Sequence, residues 1–475
     1  MPYTENIHII DGCRTPFLKA AGRPGAFAAA DLAVAAGQAL LARQGFAAEA
    51  FDEVILGCVG PSVEEANIGR VVSLRLGCGD ATPAWTVARN CASGMQALDS
   101  AAVNIACKRA GLTLAGGAEA MSRMPVLFSR AFVNWLADWA GARGASGKLK
   151  AAAKFRPAAL TPVIGILKGL TDPVAGLSMG QTAEVIAHRF GISRAAMDAF
   201  AHASHARLAA AADGGIFERE ITPIFDSAGG VHRFDDGLRR DSSVEKLAKL
   251  KPVFDRPAGR VTAGNSAQIS DGAAWLVLAG DDAVARHNLT PRGRLIDCRW
   301  AALDPAQMGL GPVHAVADLL RANSLRPADI DYWEINEAFA GQVLACLAAW
   351  RDAAYCREFL GLPGAFGDIP RERINLDGGG ISIGHPVGAS GARIALHALR
   401  VLERKNWRRA VATMCIGGGQ GGAVLIERDG GAGNEFAAGG AGTVAGTVAN
   451  NRADAGAVAG TVAGAVAENP AAIAP

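Results

Sequence analysis

The chain has 475 residues, 50% of them hydrophobic, and a net charge of +2 at pH 7, so it can build two or three sizeable cores and carries no global field for nucleic acid. Its nine cysteines (13, 58, 78, 91, 107, 298, 346, 356 and 415) are scattered without a Cys-x-x-Cys, which argues against a metal site and a disulfide framework and fits a reducing compartment. Residues 1–11 lack the basic-then-apolar pattern of a leader and no uncharged apolar run reaches spanning length; a cytoplasmic protein is expected.

In chain order, residues 7–11 form a short apolar strand, and residues 31–43 an amphipathic helix with Asp31 as its cap. Residues 54–59 are continuously apolar, as in a buried strand, and 66–76 are helical. Residues 83–87 are extended, Gly94 opens an Ala-rich helical run to 107, and 112–116 is another strand. Strands alternating with helices imply an α/β fold with a largely parallel sheet covered on both faces. Cys91 falls where a strand turns into a helix start, a position that favours a thiolate. On this stretch alone, a reactive cysteine and one more buried thiol are equally good readings.

Residues 123–177 break the pattern with several aromatic residues (among them Phe132, Trp135 and Trp139) and eight Lys/Arg against two Asp. They read as an irregular, partly helical excursion: a lid, a basic amphipathic surface for a partner or membrane, or a packed loop domain. Residues 181–212 are helical with a break near 191–193; His202 and His205, three apart, have no third ligand in range and read as surface or packing residues.

The second half repeats the scheme. A strand from Leu295, a helix over 311–322 and a strand over 332–335 lead to Asn336-Glu337-Ala338-Phe339-Ala340, and a helix follows to about 350. His385 lies in a Gly-rich loop before a helix over 392–402; as a lone Gly-His-Pro it is as readily a turn histidine. Strand 411–414 reaches Cys415, whose following glycines let backbone N–H groups approach a substrate oxygen. Two equivalent halves, each with a reactive residue at an element end, would share a crevice. Past Arg428 the composition collapses to Gly, Ala, Val and Thr, and residues 431–475 read as a disordered tail.

Six segments together resemble the thiolase family, in family order over about residues 5–428. They are Asn90-Cys91-Ala92-Ser93-Gly94-Met95-Gln96-Ala97, Ser178-Met179-Gly180-Gln181-Thr182-Ala183-Glu184, and Thr262-Ala263-Gly264-Asn265 with Ser270-Asp271-Gly272-Ala273-Ala274. The others are Asn336-Glu337-Ala338-Phe339-Ala340, Gly384-His385-Pro386 with Gly388-Ala389-Ser390-Gly391-Ala392-Arg393, and Cys415-Ile416-Gly417-Gly418-Gly419-Gln420-Gly421.

The resemblance implies duplicated βαβαβαββ halves in a five-layer α-β-α-β-α sandwich. The N-terminal half would span 1–122 and 252–280, an inserted loop domain covering substrate and coenzyme A 123–251, and the C-terminal half 281–430. It implies Cys91 as acyl-carrying nucleophile, His385 as its activator, and Cys415 as acid/base at the acetyl-CoA carbon or the CoA thiol. His385 and a water held by Asn336 would stabilise the enolate oxygen, and the N–H groups of Cys91 and Gly417 the tetrahedral intermediate; each such donor is worth about 3 kcal/mol. Met179 and Phe339 would line the acyl and pantetheine channel, and Arg239 would meet the nucleotide end. Where relatives offer a hydroxyl to the pantetheine arm this chain has Ala267, with Ser266 one position early, and Ala88 stands where relatives often have Asn.

Coenzyme A would be a substrate, with no permanently bound cofactor and no metal. A homodimer or dimer of dimers is expected, and a hydratase/dehydrogenase subunit is a candidate partner. The excursion looks like the insert of thiolase subunits in fatty-acid oxidation complexes, which points to thiolysis of medium- or long-chain 3-ketoacyl-CoA. The competing activities are biosynthetic condensation of two acetyl-CoA and, from another class, non-catalytic CoA-thioester binding. A ketosynthase would carry a histidine at Cys415, and a Rossmann dehydrogenase a helix after the 417–422 glycines.

Overall fold

The computed structural model describes residues 3–428, so the tail expected over 431–475 lies outside the described residues. The strands are β1 (His8–Arg14), β2 (Glu53–Gly57), β3 (Ala84–Val87), β4 (Leu112–Ala120), β5 (Ser270–Ala279), β6 (Gly293–Ala302), β7 (Tyr332–Ile335), β8 (Arg409–Ile416) and β9 (Gln420–Glu427). They run side by side in the order β7-β8-β9-β6-β1-β5-β4-β2-β3, and the pair Leu18–Lys19 adds to β5. The two halves join where His8 and Ile9 of β1 pair with Arg294 and Gly293 of β6.

The sheet is mixed, not largely parallel as the alternation of elements suggested. β2 pairs in parallel with β3 and β4, and β7 with β8, because helical crossovers connect them. β8 and β9 are antiparallel because three residues, Gly417–Gly419, join them, and β5 returns from the long excursion antiparallel to β4.

Helices α1 (Ala29–Leu41) and α2 (Ile68–Arg75) cover one outer face, and α3 (Ser93–Ala106) lies on the inner one. The excursion supplies α4 (Arg130–Gly141), α5 (Gly144–Ala153) and α6 (Gly165–Gly169), followed by α7 (Met179–Arg189) and α8 (Arg194–Asp213). In the second half α9 (Gly311–Ala322) and α10 (Ala340–Arg351) lie outside, and α11 (Val387–Lys405) packs on α3 in the middle.

The period-2 alternation of the strands sorts side chains between these layers. On β5, Trp275 and Val277 share a core with Leu32 and Leu40 of α1, while Leu276 and Leu278 share another with Leu98 of α3 and Leu399 of α11. On β9, Leu425 joins the outer core of Val316 and Val343, and Val424 and Ile426 the inner one. The result is five layers, α-β-α-β-α.

Asp31 does not cap α1 from outside. It is the third helical residue, and its Oδ2 accepts the N–H of Ala28, 3.0 Å away. On the edge of β7 opposite β8 the pairing is a single parallel bridge between Trp333 and Ile374. The Asn375 side chain completes the pairing, accepting from Ile335 N–H and donating to Ile335 C=O, each at 2.8 Å.

Candidate active site

Cys91 sits on a tight turn between β3 and α3. Asn90 adopts a left-handed φ of 42° and the N–H of Ser93 reaches the Asn90 carbonyl at 3.1 Å. The Ser93 hydroxyl locks this turn, accepting from Arg89 N–H and donating to the Asn90 carbonyl, both at 2.8 Å. The Asn90 Nδ2 donates to the Gly417 carbonyl at 2.7 Å, which ties the turn to the β8–β9 hairpin. That hairpin needs glycine: Gly418 and Gly419 have φ of 91° and 75°, and a Cβ on Gly419 would fall 2.2 Å from the Leu303 carbonyl.

The thiol of Cys91 faces the backbone N–H groups of Gly417 and of Cys91 itself. The helix-start position led to the expectation of a lowered pKa. Burial instead pushes the thiol above its usual range, outweighing both N–H groups, with Glu119 adding in the same direction. Cys415, at the end of β8, is raised further, by burial and by the nearby Cys91 sulfur. At neutral pH both are thiols, close enough to interact.

His385 precedes α11 and is 8% exposed. Its Nδ1 lies 2.6 Å from the Ser390 hydroxyl, which donates in turn to the Pro386 carbonyl at 2.9 Å. The hydroxyl proton being spent there, Nδ1 is the donor, and Nε2 keeps its lone pair. Burial, with Arg393 second, drives the imidazole pKa down to about 3, so the ring is neutral. The Asn336 Nδ2 lies 3.4 Å from His385 Nε2, and its buried Oδ1 has no partner among the described residues. Asn336 thus offers one unspent polar atom beside the imidazole, a seat for water.

Cys91, Met179, Gly417 and Val387 line a cavity of about 530 Å³. Residues 165–174 of the excursion, from Gly165 to Val174, contribute to its wall. Met179 is placed by a capping box on α7, in which Ser178 Oγ accepts from Gln181 N–H and Gln181 Oε1 accepts from Ser178 N–H. Phe339 packs with Met179, Cys415 and Phe254. It also bridges to Ser266, whose hydroxyl donates to the Thr262 carbonyl at 2.7 Å and so serves its own turn. Arg239 does not line the cavity; its backbone N–H donates to His205 Nδ1 at 3.3 Å, which gives that histidine a packing partner.

Sequence reasoning assigned no role to Ser390, Asn90 or Glu119. Glu119 is fully buried, and its carboxylate accepts from the N–H groups of Val59, Gly60 and Gly388, joining the first half to the first turn of α11. Burial raises its pKa against those three donors. Only the Ser390 position, five residues after His385 on the first turn of a helix, carried a readable signal.

Residues 7–282 match the thiolase N-terminal domain and residues 289–428 the thiolase C-terminal domain. A β-ketoadipyl-CoA thiolase of Pseudomonas aeruginosa is 40% identical over 90% of this chain and 100% of its own. A 3-ketoacyl-CoA thiolase of Yersinia enterocolitica is 35% identical over 89% of this chain and 97% of its own. Among solved structures, human mitochondrial 3-ketoacyl-CoA thiolase in complex with CoA aligns at a TM-score of 0.77 and 34% identity, covering 90% of this chain and 99% of that one. An acetyl-CoA acetyltransferase from Syntrophomonas wolfei aligns at 0.78 and 31% identity, covering 90% and 100%. With both halves matched by the family models and the named relatives covered almost from end to end, the chain belongs to the thiolase family and is an acyltransferase.

Proposed function

We propose that the protein cleaves 3-ketoacyl-CoA by thiolysis through an acyl-enzyme on Cys91. What supports this reading is a Cys91 thiol that burial keeps protonated and a neutral His385 whose Nε2 carries the acceptor lone pair, met by the Asn336 amide at 3.4 Å, each just ahead of one of two helices, α3 and α11, that pack together. His385 takes the thiol proton as the sulfur attacks the C3 carbonyl. The developing oxyanion is held by the N–H groups of Cys91 and Gly417. As the C2–C3 bond breaks, the acetyl-CoA enolate oxygen meets the protonated His385 and a water on Asn336, and its carbon takes a proton from Cys415. Coenzyme A then returns a proton to Cys415 and its sulfur removes the acyl group from Cys91. Coenzyme A is a substrate here; Met179 and Phe339 would flank it, with Arg239 and Ser266 as the outer contacts proposed from family positions.

We read the apolar stretch of the cavity wall beside Cys91, Met121, Met124, Ile166 and Leu170, as the seat of an acyl tail longer than acetyl, which favours cleavage over condensation of two acetyl-CoA. One relative is named for 3-ketoacyl-CoA and another for β-ketoadipyl-CoA, whose acyl tail ends in a carboxylate. The 123–251 segment is read as the cover of the site, and a homodimer or dimer of dimers, with a hydratase/dehydrogenase subunit as possible company, as the working assembly.

Initial thiolysis rates on short-, medium- and long-chain 3-ketoacyl-CoA test the reading. Turnover should extend beyond acetoacetyl-CoA, and Cys91→Ala should abolish both turnover and the acyl adduct seen by intact-protein mass. Activity confined to acetoacetyl-CoA would overturn the degradative assignment. A turning-over alanine variant would overturn the acyl-enzyme.

A further inference from the structure

Of the residues lining the cavity beside Cys91, two are charged, Asp172 and Lys168. Asp172 is 3% exposed and holds its own turn, its Oδ1 accepting the N–H groups of Val174 and Ala175 at 2.8 and 2.9 Å. Lys168 is exposed, stands on the short helix α6, and its ammonium has no ion pair or hydrogen bond among the described residues. Around it the wall is apolar, from Met124 and Ile166 to Leu170, Val174 and Met179. A lysine stem can lie along such a wall while its ammonium stays hydrated and mobile, ready for an anionic partner. A purely alkyl tail gains nothing from that charge. A tail ending in a carboxylate does, because pairing offsets the cost of drawing its charge into an apolar cleft.

We propose that Lys168 reads the far end of the acyl group, its ammonium pairing with a terminal carboxylate, so that 3-oxo-dicarboxylyl-CoA thioesters are the preferred substrate class. The inference rests on the thiolase reading above. With 3-oxoadipyl-CoA, the C2–C3 bond breaks, C3 bonds to the Cys91 sulfur, and acetyl-CoA leaves after its carbon is protonated. The group left on Cys91 is succinyl, still carboxylate-terminated, and the CoA thiol removes it as succinyl-CoA. The same pairing therefore serves both half-reactions.

The test compares kcat/KM for 3-oxoadipyl-CoA and for its uncharged six-carbon counterpart, 3-oxohexanoyl-CoA, in the full-length protein and in the Lys168→Met and Lys168→Arg variants. The wild type should favour the diacid by about tenfold, less at high salt. That ratio should fall at least fivefold in Lys168→Met and recover in Lys168→Arg. A wild-type preference for the uncharged ester, an unchanged ratio in Lys168→Met, or an equal loss on both substrates with a raised KM for coenzyme A would each overturn the proposal. Absence of thiolysis on both substrates and on acetoacetyl-CoA would instead overturn the thiolase reading on which it rests.

Discussion

The proton on Cys91 is the first thing this thiol has to lose, and its surroundings hold it on. Burial outweighs the N–H groups of Gly417 and Cys91, while His385 is kept neutral by burial and Arg393. The resting pair is therefore thiol and imidazole, not thiolate and imidazolium. Alkylation of Cys91 by iodoacetamide follows the thiolate fraction. Its rate should climb about tenfold per pH unit from pH ~6 to beyond the ordinary thiol range near ~8.5. A plateau already present below neutrality would mean that an ion pair forms in the free enzyme. Ser390 acts on this balance as a positioning residue, since its hydroxyl selects the tautomer that leaves Nε2 without a proton. The residue types at Cys91, Asn336, His385 and Cys415 were readable from the sequence because each stands at the end of an apolar run beside small residues. The sign of the Cys91 shift was not, because desolvation depends on what packs over the sulfur.

At the scale of elements, the site depends on how closely α3 and α11 approach. A Cβ on Gly94 would lie 2.8 Å from the Gly388 carbonyl, and one on Gly391 2.4 Å from the Met95 nitrogen. These contacts are backbone to backbone, so no side chain can move aside. Gly391→Ala should destabilise the protein by ~1–3 kcal/mol, the usual cost of overpacking, and weaken thiolysis by separating the two helices that follow Cys91 and His385. Urea midpoints and kcat together check this; an unchanged midpoint would show that the helices have slack. Element identity was largely legible from periodicity, and the structure matches the helix over 311–322 and the strand over 332–335. Strand direction was not legible, because it follows from which strands become neighbours. Nor was the edge of β7 opposite β8, where one bridge and a single asparagine amide stand in for a further strand.

Across the whole molecule, a buried chain of charges ties the stretch that carries Glu220 and Asp235 to both halves. Arg14 on β1 pairs with Glu220 at 2.8 Å and Asp235 at 2.7 Å. His397 on α11 lies 3.0 Å from Glu220 and 3.1 Å from Asp377. Burial alone would lower the His397 pKa, but Glu220 first and Asp377 next raise it to about 10. Burial of the two carboxylates is likewise outweighed, by His397 and Arg14 at Glu220 and by His397 and Arg404 at Asp377, so both stay below their usual range. For the histidine, folded pKa exceeds unfolded, so its contribution is complete below pH ~6.5 and fades as pH rises toward 10. For the carboxylates the contribution is present above pH ~4.5 and lost as pH falls. The gap in urea midpoint between wild type and His397→Gln should accordingly be widest near pH ~5–6 and narrow steadily to pH ~9. A gap independent of pH would mean that His397 is uncharged in the fold.

The amino-acid order by itself determined the element types, the duplication, the six family segments and the residues able to do thiol and imidazole chemistry. Those properties follow from local periodicity, turn composition and side-chain identity, all of which are written within a few residues of one another. Only the tertiary structure decided the mixed sheet, the seam between Ile9 and Gly293, the neutral state of Cys91 and His385, and the presence of Lys168 at the cavity wall. Each of these depends on groups brought together from distant positions, and burial and charge act through space, not along the chain.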